Sequence, residues 1–398
     1  MPRILRLINR FNLGGPTYNA AYLTRYLSSS FETLLVGGQK DENEASSEFI
    51  LDELGVEREL IPEMRRNIDP WKDRTVFKRV RRLIRDFQPD IVHTHASKAG
   101  AIGRRAAIKE AVPLVFHTFH GHVFHSYFGK WRTRLYKAIE RRLAQNSTRL
   151  IALSQDQKEE LTRIHHITSP DKVEVVPLGF DLSRFQENMA EKRSRFRARW
   201  GLQEGEMAIG ILGRLVPVKG HELFLEAFAA LKERSSLPVK AFVMGDGDSR
   251  EALQVRASEL GIRSTGPELE DPFAELVFTS WIRDADEVWA GMDIATLTSF
   301  NEGTPVSLIE AQAAGRPVVS TRVGGVASIV DDNKSGVLLR DRDPKELMEA
   351  WERLIQHEAL RHQWGQKGKE QVLDRFSVER LSRDMEQLYY RELEQVPA

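Results

Sequence analysis

Two carboxylates, Glu302 and Glu310, stand with seven residues between them in the run SFNEGTPVSLIEAQAAG over 299–315. Between them, Pro305 suits the first turn of a helix, where its missing N–H costs nothing. The amides of Val306, Ser307 and Leu308 are then expected to be free at the helix start and to favour a phosphate. Glu302 lies just outside that cradle, and Glu310 lies about two turns along the helix. Carboxylates on both sides of a phosphate suit a nucleotide sugar, one accepting from sugar hydroxyls and the other from ribose hydroxyls.

A second set is GRLVPVKG over 213–220, after an apolar strand and before a helix. Arg214 offers a planar fork and Lys219 a mobile point charge, a combination suited to a diphosphate. Near the start, NLGGPT over 12–17 follows another strand. The paired Gly14 and Gly15 let the backbone approach a ligand closely, although a plain turn also fits. The full dinucleotide fingerprint is absent, and no acidic residue follows at the expected distance.

Six histidines (His93, His95, His117, His120, His122 and His125) gather at the ends of two candidate strands. No His-Glu-x-x-His helix is present and no carboxylate is interleaved, so they read as a polar cleft wall rather than a metal site. Three Asp-x-Asp triplets, at 246/248, 284/286 and 341/343, could each hold a divalent ion on a diphosphate. Arg214 and Lys219 already supply that positive charge. No metal and no other cofactor is therefore expected.

These residues need a scaffold. Apolar runs at 3–8, 33–36, 91–94, 114–118, 150–153 and 173–177 alternate with helical patterns at 16–27, 76–87, 130–143 and 155–164. A second series runs through 208–213, 240–244, 276–279, 294–297, 317–320 and 336–339. Strands alternating with helices imply an α/β class, with two doubly wound parallel sheets and ligands at the carboxyl ends of the strands. The boundary is placed in the polar stretch near 181–200. The expected domains are 1–182, 183–377 and a terminal helix within 378–398 that packs back across the junction.

Composition bounds the function. The 398 residues are 41% hydrophobic and 29% charged, as in a globular protein. With no cysteine, disulfides, Cys-ligated zinc, iron–sulfur centres and thiol nucleophiles are excluded. Lys plus Arg and Asp plus Glu are 58 each, which argues against a surface that wraps nucleic acid. Yet residues 72–150 hold 18 Lys or Arg against five Asp or Glu, a block that fits phosphate groups or an anionic membrane. No run is long enough to span a membrane and the start lacks a signal peptide's apolar stretch, so a cytoplasmic protein, peripheral on the inner membrane face, is expected.

Taken together, these motifs resemble the retaining glycosyltransferases of family four, which have the GT-B fold of two Rossmann-like domains facing a cleft. The resemblance rests on the Gly14-Gly15 loop, 90–103, 117–124, the Arg214/Lys219 loop, Met244-Gly-Asp-Gly and 301–325. It implies an N-terminal acceptor domain and a C-terminal nucleotide-sugar domain. Arg214 and Lys219 would neutralise the diphosphate, and Glu310 would bind the ribose. Glu302, with Gly303, Thr304, Pro305, Val306, Ser307 and Leu308, would hold the sugar and phosphates. His120 would contact the transferred sugar, Gly15 would lie against the diphosphate, and Ile282 or its neighbour would meet the base. Ser280 stands where the family often has glycine.

The implied reaction is a metal-independent, same-face displacement from a UDP-sugar to a glycan or polyprenyl-diphosphate-linked acceptor. Segments 98–103 and 117–128 resemble members that build bacterial capsule, lipopolysaccharide or exopolysaccharide. Alternatives are another enzyme of this fold, such as a UDP-sugar 2-epimerase or a phosphorylase, and a non-catalytic sugar-binding subunit.

Overall fold

The computed structural model describes all residues except 13–14, 28, 41–45, 66, 121–129, 268–270, 272 and 397–398. The chain divides into two compact units, Met1–Phe180 with Phe376–Ala398, and Asp181–Arg375.

The first unit holds strands β1 (Arg3–Ile8), β2 (Glu32–Gly37), β3 (Arg58–Leu60), β4 (Ile91–His95), β5 (Leu114–Thr118), β6 (Arg149–Ala152) and β7 (Val173–Val175). Their order is β3-β2-β1-β4-β5-β6-β7, and neighbours pair in parallel. β4 and β5 are buried along their whole length, as strands covered on both faces must be. The helix Pro70–Phe87 shows why such covers form here. The Asp69 side chain accepts from the amides of Trp71 and Lys72, Pro70 opens the first turn, and Val76, Val80 and Ile84 bury one stripe.

The second unit holds β8 (Met207–Leu212), β9 (Val239–Met244), β10 (Ser264–Thr265), β11 (Leu276–Phe278), β12 (Ile294–Leu297), β13 (Val318–Thr321) and β14 (Gly336–Leu339). The order is β10-β11-β9-β8-β12-β13-β14, again parallel. Phe224, Phe228, Trp351 and Leu354 fill the core on one face of this sheet.

The stretch expected to mark the boundary contains a helix, Met189–Arg199, which buries Phe196 against Phe242. Its apolar periodicity is weak because Phe196 is the only residue it fully buries. The terminal helix Val378–Leu393 belongs to the first unit, where Leu381, Met385, Leu388 and Tyr389 pack with Ile4, Ile91 and Phe116. A parallel backbone bridge between Phe180 and Ser377 joins the start of this helix to the end of the first stretch.

Candidate functional site

In an open parallel sheet, ligands sit outside the carboxyl ends of the strands where the strand order reverses. In the second unit that point lies between β8 and β12. The loop after β8 carries Arg214 and Lys219, and the loop after β12 carries Glu302. The two loops meet: Lys219 Nζ donates to Glu302 Oε1 at 2.6 Å, and the Ser299 hydroxyl donates to the same oxygen. Both carboxylate and ammonium are mostly enclosed, with side chains 9% and 21% exposed. Arg214 is exposed and has no ion-pair partner among the described residues.

Backbone contacts hold these loops in register. Gly245, at φ 133°, lies so close to the Gly213 carbonyl that a Cβ there would come within 2.0 Å of it. Leu215 N donates to Asp246 O at 2.9 Å. Behind Glu302, Gly325 N donates to the Glu302 carbonyl at 3.2 Å, and any side chain at Gly324 or Gly325 would strike the 302–303 backbone. Thus the GG pair at 324–325 serves close packing, while Gly303 and Gly15 have open space around them.

The helix after the Glu302 loop runs Val306–Ala313, with Pro305 as its N-cap rather than inside its first turn. Leu308 N donates to Pro305 O at 3.1 Å, so its amide is not free as expected. The amides of Val306 and Ser307 have no backbone acceptor among the described residues. Thr304 and Pro305 complete the turn between Glu302 and these amides.

Glu310, on the same helix, is half-buried. Burial above all, with a smaller push from Asp286, raises its carboxyl to about 7 against the pull of Arg184. The indole of Trp289 lies close enough to hold part of its charge, although its Nε1 completes no hydrogen bond of ordinary length. Asp286 is in turn held by Lys192 at 2.9 Å and Arg184 at 3.4 Å.

Ile282 is half-buried beside the exposed Trp281. Ser280 adopts φ 60°, the left-handed region that favours glycine. Its hydroxyl compensates by accepting from Arg250 at 2.6 Å and facing Asp246 at 3.3 Å. Asp246 is therefore tied to Arg250, Asp286 to two cations, and Asp343 caps the helix Pro344–Gln356. Among the described residues no group of three or more His, Asp or Glu is arranged to hold a metal ion.

One residue of this site was not singled out from sequence. Arg342 Nη1 donates to the carbonyls of Thr298 and Ser299, and its guanidinium lies 3.6 Å over the Phe300 ring. A Cβ on Gly220, at φ 60°, would come within 2.5 Å of Arg342 Nη2. Arg342 thus fastens the end of the Lys219 loop to the turn that presents Glu302. Its acceptors are carbonyls more than forty residues away, a contact that no local pattern announces.

In the first unit the reversal lies between β1 and β4. Gly15 opens the helix Gly15–Tyr26 there; Gly14, His122 and His125 lie outside the described residues. The expected histidine wall is mostly interior. His93, His95 and His117 are fully buried because their strands are covered on both faces. His93 lies between the Tyr389 hydroxyl, 2.5 Å from Nδ1, and the Thr118 hydroxyl, 2.8 Å from Nε2. His117 Nδ1 is 2.9 Å from the Thr94 hydroxyl. His120 alone of the four keeps accessible surface, and its Nε2 shares a 3.0 Å hydrogen bond with His95 Nδ1. Burial holds His120 down to about 3 and keeps the other three well below the usual imidazole range. The cluster is neutral at physiological pH.

The chain matches two family models: Glycosyltransferase Family 4 over residues 13–184 and Glycosyl transferases group 1 over residues 192–371. It is 30% identical over 304 residues to an Escherichia coli protein, UDP-Gal:alpha-D-GlcNAc-diphosphoundecaprenol alpha-1,3-galactosyltransferase, covering 75% of each chain. It is also 30% identical over 320 residues to a D-inositol 3-phosphate glycosyltransferase of a Nocardioides species, covering 76% of this chain and 67% of that one. Among solved structures, HepE from Anabaena in complex with UDP superposes with a TM-score of 0.80 at 18% identity, over 98% of this chain and all of the other. With two seven-stranded parallel sheets and both families matched, this chain belongs to the family 4 and group 1 glycosyltransferases of the GT-B fold.

Proposed function

We propose that this glycosyltransferase moves a sugar from a UDP-sugar to a polyprenyl-diphosphate-linked acceptor, with retention at the anomeric carbon and without a metal, in cell-surface polysaccharide synthesis. The observation that carries the reading is the Lys219–Glu302 pair at the start of the helix that also bears Glu310. An incoming diphosphate competes with Glu302 for Lys219, which releases the carboxylate to accept from sugar hydroxyls. Arg214 and the amides of Val306 and Ser307 add to the same anion site, and Glu310 accepts from the ribose. Ile282 meets the base through its backbone. In the first unit, Gly15 and His120 are the proposed ligands of the diphosphate and the sugar.

In the reaction the bond between the anomeric carbon and the diphosphate oxygen breaks. The acceptor hydroxyl bonds to that carbon on the same face, and its proton passes to the leaving phosphate. Fixed positive charge stabilises the departing oxygen. A double displacement needs a carboxylate placed to attack the anomeric carbon, whereas in this reading Glu302, once released, accepts from the sugar hydroxyls. UDP is supported by the name of the E. coli relative and by the UDP complex of HepE. The lipid acceptor is supported by the former name alone.

The test combines purified protein, UDP-hexoses, a GlcNAc-diphosphate-lipid acceptor and EDTA. Transfer in the chelator, with a product α-linked by proton NMR coupling, is expected. Epimerised donor without acceptor, transfer to inositol 3-phosphate instead, a β product, or a requirement for Mg²⁺ or Mn²⁺ would each overturn the corresponding part.

A further inference from the structure

At the opposite, amino ends of β8, β12 and β13 lies a cavity of about 600 Å³. It is bounded by Met207, Asp293 and Pro317, which start or precede those strands, and by Arg193, Arg197 and Arg316. The donor-site loops leave from the other ends of the same strands, so the two places do not share residues.

Two of the three guanidinium groups here bond one carboxylate. Asp293 Oδ1 accepts from Arg193 at 2.7 Å, and Oδ2 accepts from the Ala208 amide at 2.8 Å and from Arg197 at 3.5 Å. Arg193 also caps the carbonyls of Ala290, Gly291 and Met292, and Arg197 those of Gln203 and Glu206. Arg316 is left over. Its Nε has no accessible surface and no partner among the described residues. Burial above all, with Arg193 and Arg197, lowers it to about 10 against the pull of Asp293. The remaining acidic groups are engaged: Glu206 accepts from the Gln203 amide at 3.0 Å, and the exposed Glu358 lies 3.5 Å from His362. Arg361, also on the cavity, donates to the carbonyls of Leu354 and Ile355.

Buried charges are normally paired, and a lone guanidinium turned to a cavity lacks its counter-ion. We propose that this cavity is an oxyanion site for the phosphate group of a small molecule, with Arg316 as its principal ligand and Arg193 and Arg197 as flanking charge. The planar fork of Arg316 matches phosphate oxygens, and the volume leaves room for an organic body beyond the phosphate. The position of Arg316 is fixed from the chain: Gly315, at φ 72°, ends the helix that bears Glu310, and Arg316 N donates to Ala311 O at 2.9 Å.

Calorimetry on the full chain with inorganic phosphate and with a sugar monophosphate tests this, against sodium chloride at equal ionic strength. Saturable binding is expected to persist in Lys219→Ala, which disables the donor site, and to weaken at least tenfold in Arg316→Gln. Arg316→Lys, which keeps the charge, should retain part of it and shows whether the Gln variant is merely misfolded. Heat no larger than that of chloride, binding lost in Lys219→Ala, or binding unchanged in Arg316→Gln would overturn the proposal. Tighter binding of the sugar monophosphate than of phosphate would support the organic body.

Discussion

At the strand reversal of the first unit, between β1 and β4, stand imidazoles buried and held neutral. At the corresponding reversal of the second unit, between β8 and β12, stand an ammonium–carboxylate pair and a carboxyl held near neutrality. The topologies are nearly the same, so the difference lies in what the loops deliver. In the first unit β4 and β5 carry their histidines inside the sheet, where desolvation disfavours charge. In the second unit Lys219 and Glu302 sit on loops beyond the strand ends, where each faces the other's opposite charge. A parallel sheet can thus offer either neutral hydrogen-bonding groups or fixed charge at one topological point, according to whether the side chain precedes or follows the last ladder residue.

The largest expected effect strikes the charged side. Lys219→Ala removes a charge-assisted contact and leaves Glu302 facing the diphosphate, so affinity for the nucleoside diphosphate product should fall by about 1.5–3 kcal/mol, roughly ten- to a hundredfold. Calorimetry with UDP measures it. An unchanged affinity would remove the second unit's claim to anion chemistry and with it the contrast. Among the buried imidazoles, His117→Asn should leave UDP affinity unaltered.

Protonation separates the units by sign. The folded pKa of Glu310 is raised, from 4.5 to about 7. Its stabilising share is therefore complete below pH 4.5 and is lost as pH rises through about 7. The imidazoles of His93, His95 and His117 have lowered folded values, so the unfolded chain binds their protons first and stability is lost as pH falls below about 6.5. Hydrogen exchange should show β4 and β5 losing protection at pH 5.5, and the helix Val306–Ala313 gaining it from pH 8 to pH 6. Glu310→Gln should abolish the second trend while weakening UDP. The same carboxyl accepts ribose hydroxyls best when ionised, so UDP affinity of the wild type should rise between pH 6 and 8. Trends of the same sign in both units would dissolve the distinction.

Much of this placement was readable in the chain. The apolar runs and the two Gly-rich loops located most strands, because buried parallel strands are continuous Val, Ile and Leu stretches. β3 reads Arg-Glu-Leu and β10 reads Ser-Thr, edge strands too short and polar to announce themselves. The helix Met189–Arg199 was missed for a related reason, since polar residues surround its single buried Phe196. The motif around 299–310 located Glu302 but not its support. Ser299 and Arg342 act through one hydroxyl and two backbone carbonyls, and spacing carries no trace of either.

Arg342 offers a subtler test of how the charged side is held. Arg342→Ala should lower UDP affinity about tenfold, since it slackens the turn that carries Glu302 without removing a ligand. Arg342→Lys should recover part of the loss, because an ammonium reaches the Thr298 and Ser299 carbonyls but does not stack on Phe300 as a guanidinium does. Equal affinities in all three proteins would show that the Glu302 loop stands unaided.

A separate effect is expected at the surface of the first unit, where the basic block lies. Among the described residues no helix is long and apolar enough to cross a membrane. On the helix Lys130–Gln145, however, Leu135 and Ile139 are 47% and 40% exposed, whereas Leu143 is buried and Glu140 pairs with the buried Arg104. The apolar residues of this helix are therefore divided, the later end in the core and the middle in solvent. Arg134 and Arg142 are exposed beside it, while Arg141 donates to the carbonyls of His165 and His166. Exposed apolar residues among cations suit the interface of an anionic bilayer, at about 1 kcal/mol per basic residue near the surface. Sedimentation with phosphatidylglycerol vesicles at low salt should therefore exceed sedimentation with phosphatidylcholine. Replacing Arg134 and Arg142 with Gln should weaken it about thirtyfold, by about 2 kcal/mol, with UDP affinity unchanged. Arg141 is left in place because its carbonyl contacts are structural. Equal sedimentation with both lipids would assign the basic block to solvated helix faces and leave charge recognition to the second unit alone.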